Sequence, residues 1–295
     1  MPKLSKLKIA FVHPWGEAKR YDPLIWDGLH AALNVVSKFH QVDWFLGGDE
    51  PPDAYDWIIP WGVMSIPFNN TIEKYHAKKA IFCAGHPDDI TNIEKFDVVF
   101  VESGAVYYKM RKYCKRIELA FGTDTGFFKP KEEKKIYDAF FPATFSPWKR
   151  QDLFAEAIGD KGLVCGVVQP DGVDIVRKCV ERGTHVLAGL VPTRLVADLY
   201  NMSKVCVITS WHGSERTALE AMSSNIPLVV TKDNELVCSL LPKESIQVEP
   251  NPEAIRKGFL KALTMKINTR DYILDNFSHL LYATKIMETI EKEVI

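Results

Sequence analysis

The stretch from Ser210 to Val230, SWHGSERTALEAMSSNIPLVV, decides how the rest of the chain is interpreted. It follows an apolar run, Val205–Ile208, that has the length of a buried strand, and it opens a helix near Arg216. The glycine-containing turn between them exposes backbone N–H groups at a helix N-terminus, where an anion such as a diphosphate is favoured. A carboxylate about one turn into the helix, here Glu220, accepts hydrogen bonds from paired hydroxyls such as those of a ribose.

Outward from this stretch, short apolar runs alternate with longer amphipathic ones on both sides of a charged segment, Lys129–Lys135. We interpret the charged segment as a linker or solvated surface. The predicted strands are Lys8–His13, Gln41–Phe45, Trp57–Pro60, Ala80–Cys83, Val98–Val101, Arg116–Ala120, Ala139–Thr144, Leu163–Val168, His185–Leu187, Val205–Ile208 and Leu228–Val230. The predicted helices are Pro23–Phe39, Val106–Cys114, Gln151–Ile158, Val173–Arg182, Thr193–Asn201, Arg216–Ser223, Pro252–Leu263 and a long stretch, Asp271–Ile295, broken near Ser278.

This alternation predicts an α/β protein with two Rossmann-like domains. A chain of 295 residues has room for two domains, and strands joined by helices imply parallel sheets with covered faces. We expect an N-terminal domain over residues 1–128, a C-terminal domain over 129–275 and a helical tail over 276–295. Ligands of such sheets bind beyond the carboxyl ends of the strands.

Composition excludes some classes of partner. The 37 Lys and Arg residues balance 38 Asp and Glu residues, which argues against a protein that holds nucleic acid by bulk charge. The six cysteines form no C-x-x-C pair and no cluster with zinc spacing, so we expect free thiols in a reducing compartment. The apolar run after the basic N-terminus is too short for a signal peptide or membrane span, which predicts a cytoplasmic protein without a transmembrane segment.

The opening stretch resembles a known donor-site signature. Gly213, Glu220-Ala221-Met222 and Pro227 are similar to the motif of the retaining GT-B glycosyltransferases, especially glycosyltransferase family 4. The resemblance implies two Rossmann-like domains with parallel sheets facing across a cleft and a C-terminal helix packing back on the N-terminal domain. It also implies that Glu220 binds the nucleotide ribose. The family's other Glu, which contacts the donor sugar, is replaced here by His212, and Glu215 is a nearby carboxylate that could take its place.

Three further stretches resemble the family in the order it requires. Ala120–Pro130 is similar to the segment that leads into the second domain. Thr144–Phe154 is similar to the segment whose Arg and Lys bind the donor diphosphate; Lys149 matches the Lys, Thr144 stands at the Arg position, and Arg150 is the substitute we expect. The implied diphosphate-binding set is Lys149, Arg150, Gly213, Ser214 and Thr217. Val186–Val191 resembles the loop that flanks the base, which gives this role to Gly189, Leu190 and Val191.

In the N-terminal half, two loop residues are candidates. Gly16 follows the first predicted strand, where the family has a glycine-containing loop near the phosphate and acceptor. His86 follows the fourth, and the family often places a histidine there, facing the donor sugar. The resemblance thus makes His86 and His212 the catalytic candidates. We expect no metal, because Lys149 and Arg150 supply positive charge and a helix N-cap explains the Asp88-Asp89 pair as well.

The sequence therefore predicts a hexosyl-type glycosyltransferase. It would move a sugar from a UDP- or GDP-sugar to a glycan, lipid-linked or other hydroxyl acceptor, with retention, without metal and without a further cofactor. Two alternatives stay open. One is a catalytically silent nucleotide- or glycan-binding protein, which the departures at Thr144 and His212 suggest. The other is a phage-type DNA-base glycosyltransferase, against which the near-neutral charge argues.

Overall fold

The computed structural model describes residues 6–13, 26–46, 49–62, 71–83, 93–243 and 245–293. By their contacts these residues divide into two compact units. Unit 1 contains the described residues up to Gly122, except Trp26 and Asp27, together with the chain from His279 onward. Unit 2 contains Trp26, Asp27 and residues 123–278.

Unit 1 is built on a six-stranded parallel sheet with the strand order β2-β1-β3-β4-β5-β6. All residues of β1 after Lys8 are buried, as expected for a strand covered on both faces. The strands are β1 Lys8–His13, β2 Gln41–Leu46, β3 Trp57–Pro60, β4 Lys78–Cys83, β5 Val98–Val101 and β6 Ile117–Leu119; the helices are α1 Gly28–Val36 and α2 Gly104–Met110, joined later by α10 His279–Lys292.

Helix α10 completes the core of unit 1. Its buried residues recur at helical spacing and pack in one cluster with the aromatic side chains of the sheet, such as Phe82. Near its end, the buried His40 imidazole lies 3.0 Å from the Glu291 carboxylate, and Arg116 donates to Glu293 at 2.8 Å. The prediction that a C-terminal helix packs back on the N-terminal domain is confirmed.

Unit 2 is also built on a six-stranded parallel sheet, with the strand order β12-β11-β10-β7-β8-β9. Its strands are β7 Tyr137–Pro142, β8 Gly162–Gly166, β9 His185–Ala188, β10 Ser203–Ile208, β11 Leu228–Thr231 and β12 Ile246–Val248. Its helices are α3 Gln151–Ile158, α4 Val173–Glu181, α5 Thr193–Asn201, α6 Glu215–Ser223, α7 Glu235–Cys238, α8 Pro252–Ala262 and α9 Thr269–Asn276. Because β7 lies between β8 and β10, the strand order reverses there, and the loops after β7 and β10 diverge around a place where such sheets bind ligands.

The charged segment Lys129–Lys135 is exposed, in agreement with a solvated surface, but side chains attach it to unit 2. The Lys131 ammonium lies 2.6 Å from a carboxylate oxygen of Asp198, and Lys135 donates to the carbonyl oxygen of Asn201 at 2.8 Å. These contacts make it the first part of unit 2 rather than an independent spacer.

The structure also bears on the expectations of free thiols and of no transmembrane segment. All six cysteines are free, and burial raises the pKa of the Cys165 thiol to about 12, so that this thiol stays protonated at neutral pH. Among the helices that the structure describes, none combines the length and the apolar character needed to cross a bilayer.

Candidate functional site

The loops after β7 and β10 are held together at the point where the strand order of unit 2 reverses. The main-chain N–H of Trp211 donates to the Trp148 carbonyl at 3.1 Å, and the Arg150 Nε donates to the Thr209 carbonyl at 2.6 Å. The Thr217 hydroxyl, in α6, donates to the carbonyl of Pro142 at the end of β7 (3.0 Å). The structure thus brings together the two segments that the sequence resemblance assigned to the diphosphate.

Lys149 lies against the turn that opens α6. Its Nζ donates to the His212 carbonyl at 3.2 Å and to the Ser214 hydroxyl at 3.0 Å. Burial lowers the pKa of Lys149 to about 8, a shift that Glu215 opposes and the positive charge of Arg216 reinforces. Below about pH 8 the group is a cation at a helix N-terminus.

The backbone of the turn requires glycine beside this cation. Gly213 has φ 70°, in the left-handed region, and a Cβ there would lie 2.6 Å from the Lys149 Nζ. Ser214 follows at φ 74°. The buried amide of Asn234 lies 2.8 Å from the Ser210 carbonyl and 2.9 Å from the Gly213 carbonyl, which fixes the turn from beneath. Sequence reasoning missed Asn234.

The N-terminus of α6 offers donors to an anion. The first N–H groups of a helix have no intrahelical acceptor, and within the described chain the Ser214 side chain makes no capping hydrogen bond to them. Its hydroxyl instead lies 3.0 Å from the Lys149 Nζ and 3.1 Å from the Ser210 hydroxyl. An ammonium group and a helix N-terminus therefore converge on one turn, an arrangement suited to a phosphate.

Glu220 lies on the same helix beside a buried phenol. The Tyr200 hydroxyl is 3.1 Å from the Thr217 carbonyl and 3.2 Å from Glu220 Oε2. Burial raises the pKa of Glu220 to about 8, while Arg216 and Tyr200 act in the opposite direction and Asp27 adds to the rise. At neutral pH the carboxyl is mainly protonated, and the Tyr200 hydroxyl is the donor toward both the Thr217 carbonyl and Glu220 Oε2.

Arg150 is placed differently from Lys149. It is the N-cap residue before α3, with φ 52°, and its guanidinium makes a bidentate pair with Asp233 at 2.8 and 3.0 Å, which lowers the pKa of that carboxyl. A third donor reaches the Thr231 hydroxyl at 3.1 Å. The charged groups of Lys149 and Arg150 therefore have different partners although the residues are adjacent in sequence. A role for Arg150 at the diphosphate stays a prediction, and it requires the guanidinium to leave Asp233.

The cation that sequence reasoning missed is Arg216. It is the second residue of α6, and its guanidinium lies 2.7 Å from the Asp27 carboxylate. Its charge acts on both Lys149 and Glu220. The available signal was its spacing, because a residue four positions before Glu220 on a helix lies on the same face.

The remaining candidates lie around this centre or outside the described residues. His212 is half-buried, with its ring 5.8 Å from that of the exposed Trp211, and Glu215 is half-buried in the first turn of α6. The predicted base-flanking residues Gly189, Leu190 and Val191 follow β9 and precede α5, and Leu190 is exposed. The predictions for Gly16, His86 and the Asp88-Asp89 pair fall outside the described residues.

Comparisons with known proteins bear on the fold. No protein-family model and no curated protein matches the sequence. Among solved structures, sucrose-phosphate synthase from Thermosynechococcus elongatus is similar at a TM-score of 0.72 and 15% identity, over 98% of this chain and 99% of that one. Anabaena HepE, solved with UDP and glucose, has a TM-score of 0.74 and 13% identity over 97% of this chain and 100% of its own.

A third similar structure is AviGT4, a glycosyltransferase of avilamycin A biosynthesis, with a TM-score of 0.65 and 14% identity over 97% of each chain. At these identities the likeness establishes the fold. The protein has the GT-B fold, with two parallel α/β sheets, as the sequence predicts.

Proposed function

We propose that the protein is a glycosyltransferase that moves a sugar from a UDP- or GDP-sugar to an acceptor hydroxyl. The observation that supports this most directly is the Lys149 ammonium held against the N-terminus of α6, at the strand-order reversal of unit 2. A GT-B fold matched over nearly the whole chain supports the same conclusion.

In this proposal the donor diphosphate lies at the turn between β10 and α6. Lys149, Ser214 and the N–H groups around Gly213 contact its oxygens. Because the Thr217 hydroxyl is used by the Pro142 carbonyl, Thr217 contributes its main-chain N–H. Glu220 binds the ribose hydroxyls, and the loop of Gly189, Leu190 and Val191 flanks the base.

Breaking the bond between the sugar and the diphosphate builds negative charge on the leaving phosphate. A cation and a helix N-terminus that are already in position stabilise this charge without reorganisation, which is the main contribution an enzyme makes to such a step. We propose that these groups suffice without a divalent metal and that a hexose is transferred with retention. His212 and Glu215 face the donor sugar in this proposal, and His86 and Gly16 act from the N-terminal half.

The first donor to test is UDP-glucose, since HepE was solved with UDP and glucose. A panel of UDP- and GDP-sugars, each with and without EDTA, is screened by thermal denaturation. A ligand at about 100 times its Kd raises the unfolding free energy by about 2.7 kcal/mol, which is readily seen as a rise in Tm. A rise that persists in EDTA supports the proposal, and no rise with any member of the panel contradicts it.

One alternative keeps the same site without the chemistry. Thr144 and His212 stand where the resembled family has Arg and Glu, which favours a protein that binds a nucleotide sugar and does not turn it over. Release of UDP or GDP from a bound donor in the presence of an acceptor panel, abolished in Glu220→Ala, would exclude this alternative. Binding without release in any mixture would favour it.

A further inference from the structure

Arg216 and Asp27 form an ion pair at the edge of the candidate donor site. The atoms Arg216 NH1 and Asp27 Oδ2 lie 2.7 Å apart; the Asp27 side chain is 12% exposed and the Arg216 side chain 40%. Asp27 does not belong to the chain segment around α6, since it precedes α1 by one residue. Its contacts nevertheless assign it to unit 2.

A neighbouring contact holds Asp27 in place. The indole N–H of Trp26 donates to the Asp124 carboxylate at 2.8 Å. The other oxygen of that carboxylate accepts the main-chain N–H groups of Gly126 and Phe127 at 2.9 and 3.0 Å. These contacts fix the segment that carries Asp27. The ion pair with Arg216, which is itself held in α6, therefore joins two ordered segments of the chain.

The pair lies within electrostatic reach of both main donor-binding candidates. The charge of Arg216 lowers the pKa of Lys149 and of Glu220, and the charge of Asp27 raises that of Glu220. The geometry agrees, because Arg216 lies one turn before Glu220 on the same face of α6 and two residues after Ser214, which Lys149 contacts. Lys149 supplies one positive charge, whereas a diphosphate carries at least two negative ones.

We propose that Arg216 is a second cation for the donor diphosphate and that Asp27 is a built-in anion that competes with the diphosphate for it. This inference rests on the proposed function. An arginine binds a carboxylate or a phosphate through the same planar set of donors. Binding of the diphosphate then replaces the carboxylate as the partner of Arg216, and the Asp27 charge opposes the exchange.

The test measures the affinity for UDP and GDP, with uridine and guanosine as probes that lack phosphate. Asp27→Asn keeps the shape of the side chain and removes its charge, and we expect it to tighten binding of the diphosphate by about threefold to tenfold. Arg216→Gln should weaken binding by about tenfold or more. Both variants should change the affinity for the nucleoside, which lacks phosphate, much less than the affinity for the diphosphate.

A double-mutant cycle shows whether the two residues act together. In the Arg216→Gln background, Asp27→Asn should no longer tighten binding. Asp198→Asn is the matched control, since it removes an acidic partner of a lysine elsewhere in unit 2 with the same change of net charge. It should leave the affinity unchanged.

The outcomes separate this inference from the proposed function. If the wild-type protein binds neither UDP nor GDP, the proposed function fails, and this inference with it. If the wild type binds UDP or GDP, the inference alone is overturned by either of two results. One is that Asp27→Asn weakens binding or leaves it unchanged. The other is that Asp27→Asn tightens binding equally in the Arg216→Gln background. Should Asp27→Asn not fold, Arg216→Lys and Arg216→Gln decide: equal affinities of both variants and the wild type for UDP and GDP would overturn it.

Discussion

Strand β3 of unit 1 and strand β10 of unit 2 occupy corresponding places in their sheets. Strand β3 pairs with β1 on the side opposite β2, and β10 pairs with β7 on the side opposite β8. The residues at their carboxyl ends differ in kind. After β3 comes Trp61, whose ring packs 5.3 Å from that of the buried His13. After β10 come Thr209 and Ser210, buried residues whose hydroxyls lie within hydrogen-bond distance of the neighbouring loop and turn.

The same topology thus supports two kinds of strand end. In the described part of unit 1 the end is filled with aromatic rings, which stabilise by burial. In unit 2 it is a network of buried polar groups, which a core tolerates only if they are hydrogen-bonded. We therefore expect substitutions in the aromatic core of unit 1 to change mainly stability and substitutions at the site of unit 2 to change mainly ligand binding.

The largest expected effect concerns the aromatic core of unit 1. Phe82 packs against Phe11, Phe100 and Tyr282, and therefore joins the sheet to α10. Phe82→Ala should lower the unfolding free energy by about 3–5 kcal/mol through lost burial and a cavity. Urea unfolding measures this. Phe39→Ala, at an exposed position, is the control and should change stability by less than about 0.5 kcal/mol. Comparable losses of stability in both variants would contradict this expectation.

In unit 2, Lys149→Met should show the reverse behaviour. It removes a desolvated ammonium, so the unfolding free energy should stay the same or rise, while the loss of charge-assisted hydrogen bonds should weaken UDP or GDP binding by about 10- to 100-fold. Calorimetric titration measures the affinity. Lys135→Met is the matched control, because that Nζ also donates to main-chain carbonyls, at Asn201 and at Ser203, where β10 begins; it should bind as the wild type does.

A smaller effect is expected for Gly213→Ala. The left-handed backbone costs an alanine about 1–2 kcal/mol, and the new Cβ would push the Lys149 ammonium away from the turn. Gly183→Ala separates these two causes, since φ is 78° there and the nearest atom to the added Cβ, the Cβ of Asp160, lies at an ordinary contact distance of 3.5 Å. Thermal denaturation and UDP titration together should show strain in both variants but displacement of the cation, and hence weaker diphosphate binding, only in Gly213→Ala. Equal affinities for UDP and GDP in the two variants would contradict this.

The last expected effect is a pH dependence of stability from Glu220. Its pKa is raised from 4.5 to about 8, so the folded protein binds a proton that the unfolded chain releases between these values. Stability conferred by the neutral carboxyl is therefore present below about pH 4.5, declines as the pH rises, and is lost above about pH 8. Relative to Glu220→Gln, the wild type should lose stability steadily across this window. Parallel Tm curves for both proteins over the window would rule this out.

Much of unit 2 could be predicted because its signals are local. The bounds of α3 and α5 agree with the prediction from periodicity, and the strand–turn–helix around Gly213 forms as expected. Strand β12 and helix α7 were missed because they are too short to show a period. Strand β12 lies at one edge of the sheet, whereas α7 is capped by Asn234, whose amide holds the turn at Gly213.

Contacts between distant parts of the chain could not be predicted. Nothing in Lys149-Arg150 shows that the second residue adopts a left-handed backbone and turns its guanidinium to Asp233. The pairing of Arg216 with Asp27 likewise depends on the tertiary structure. In unit 1 the predicted helix Pro23–Phe39 corresponds to α1, which spans Gly28–Val36 among the described residues. The observed helix ends before Phe39, because the backbone after Val36 forms turns up to His40.

The return of α10 to unit 1 has a consequence for the order in which the chain acquires structure during synthesis. Nearly all of unit 2 is one uninterrupted stretch, 123–278, so it leaves the ribosome before α10 does. The sheet of unit 1 emerges earlier but must wait for Tyr282, Ile286 and Ile290 to cover it. The half that is made first is therefore finished last, and for that interval its uncovered apolar surface is open to chaperones and to aggregation.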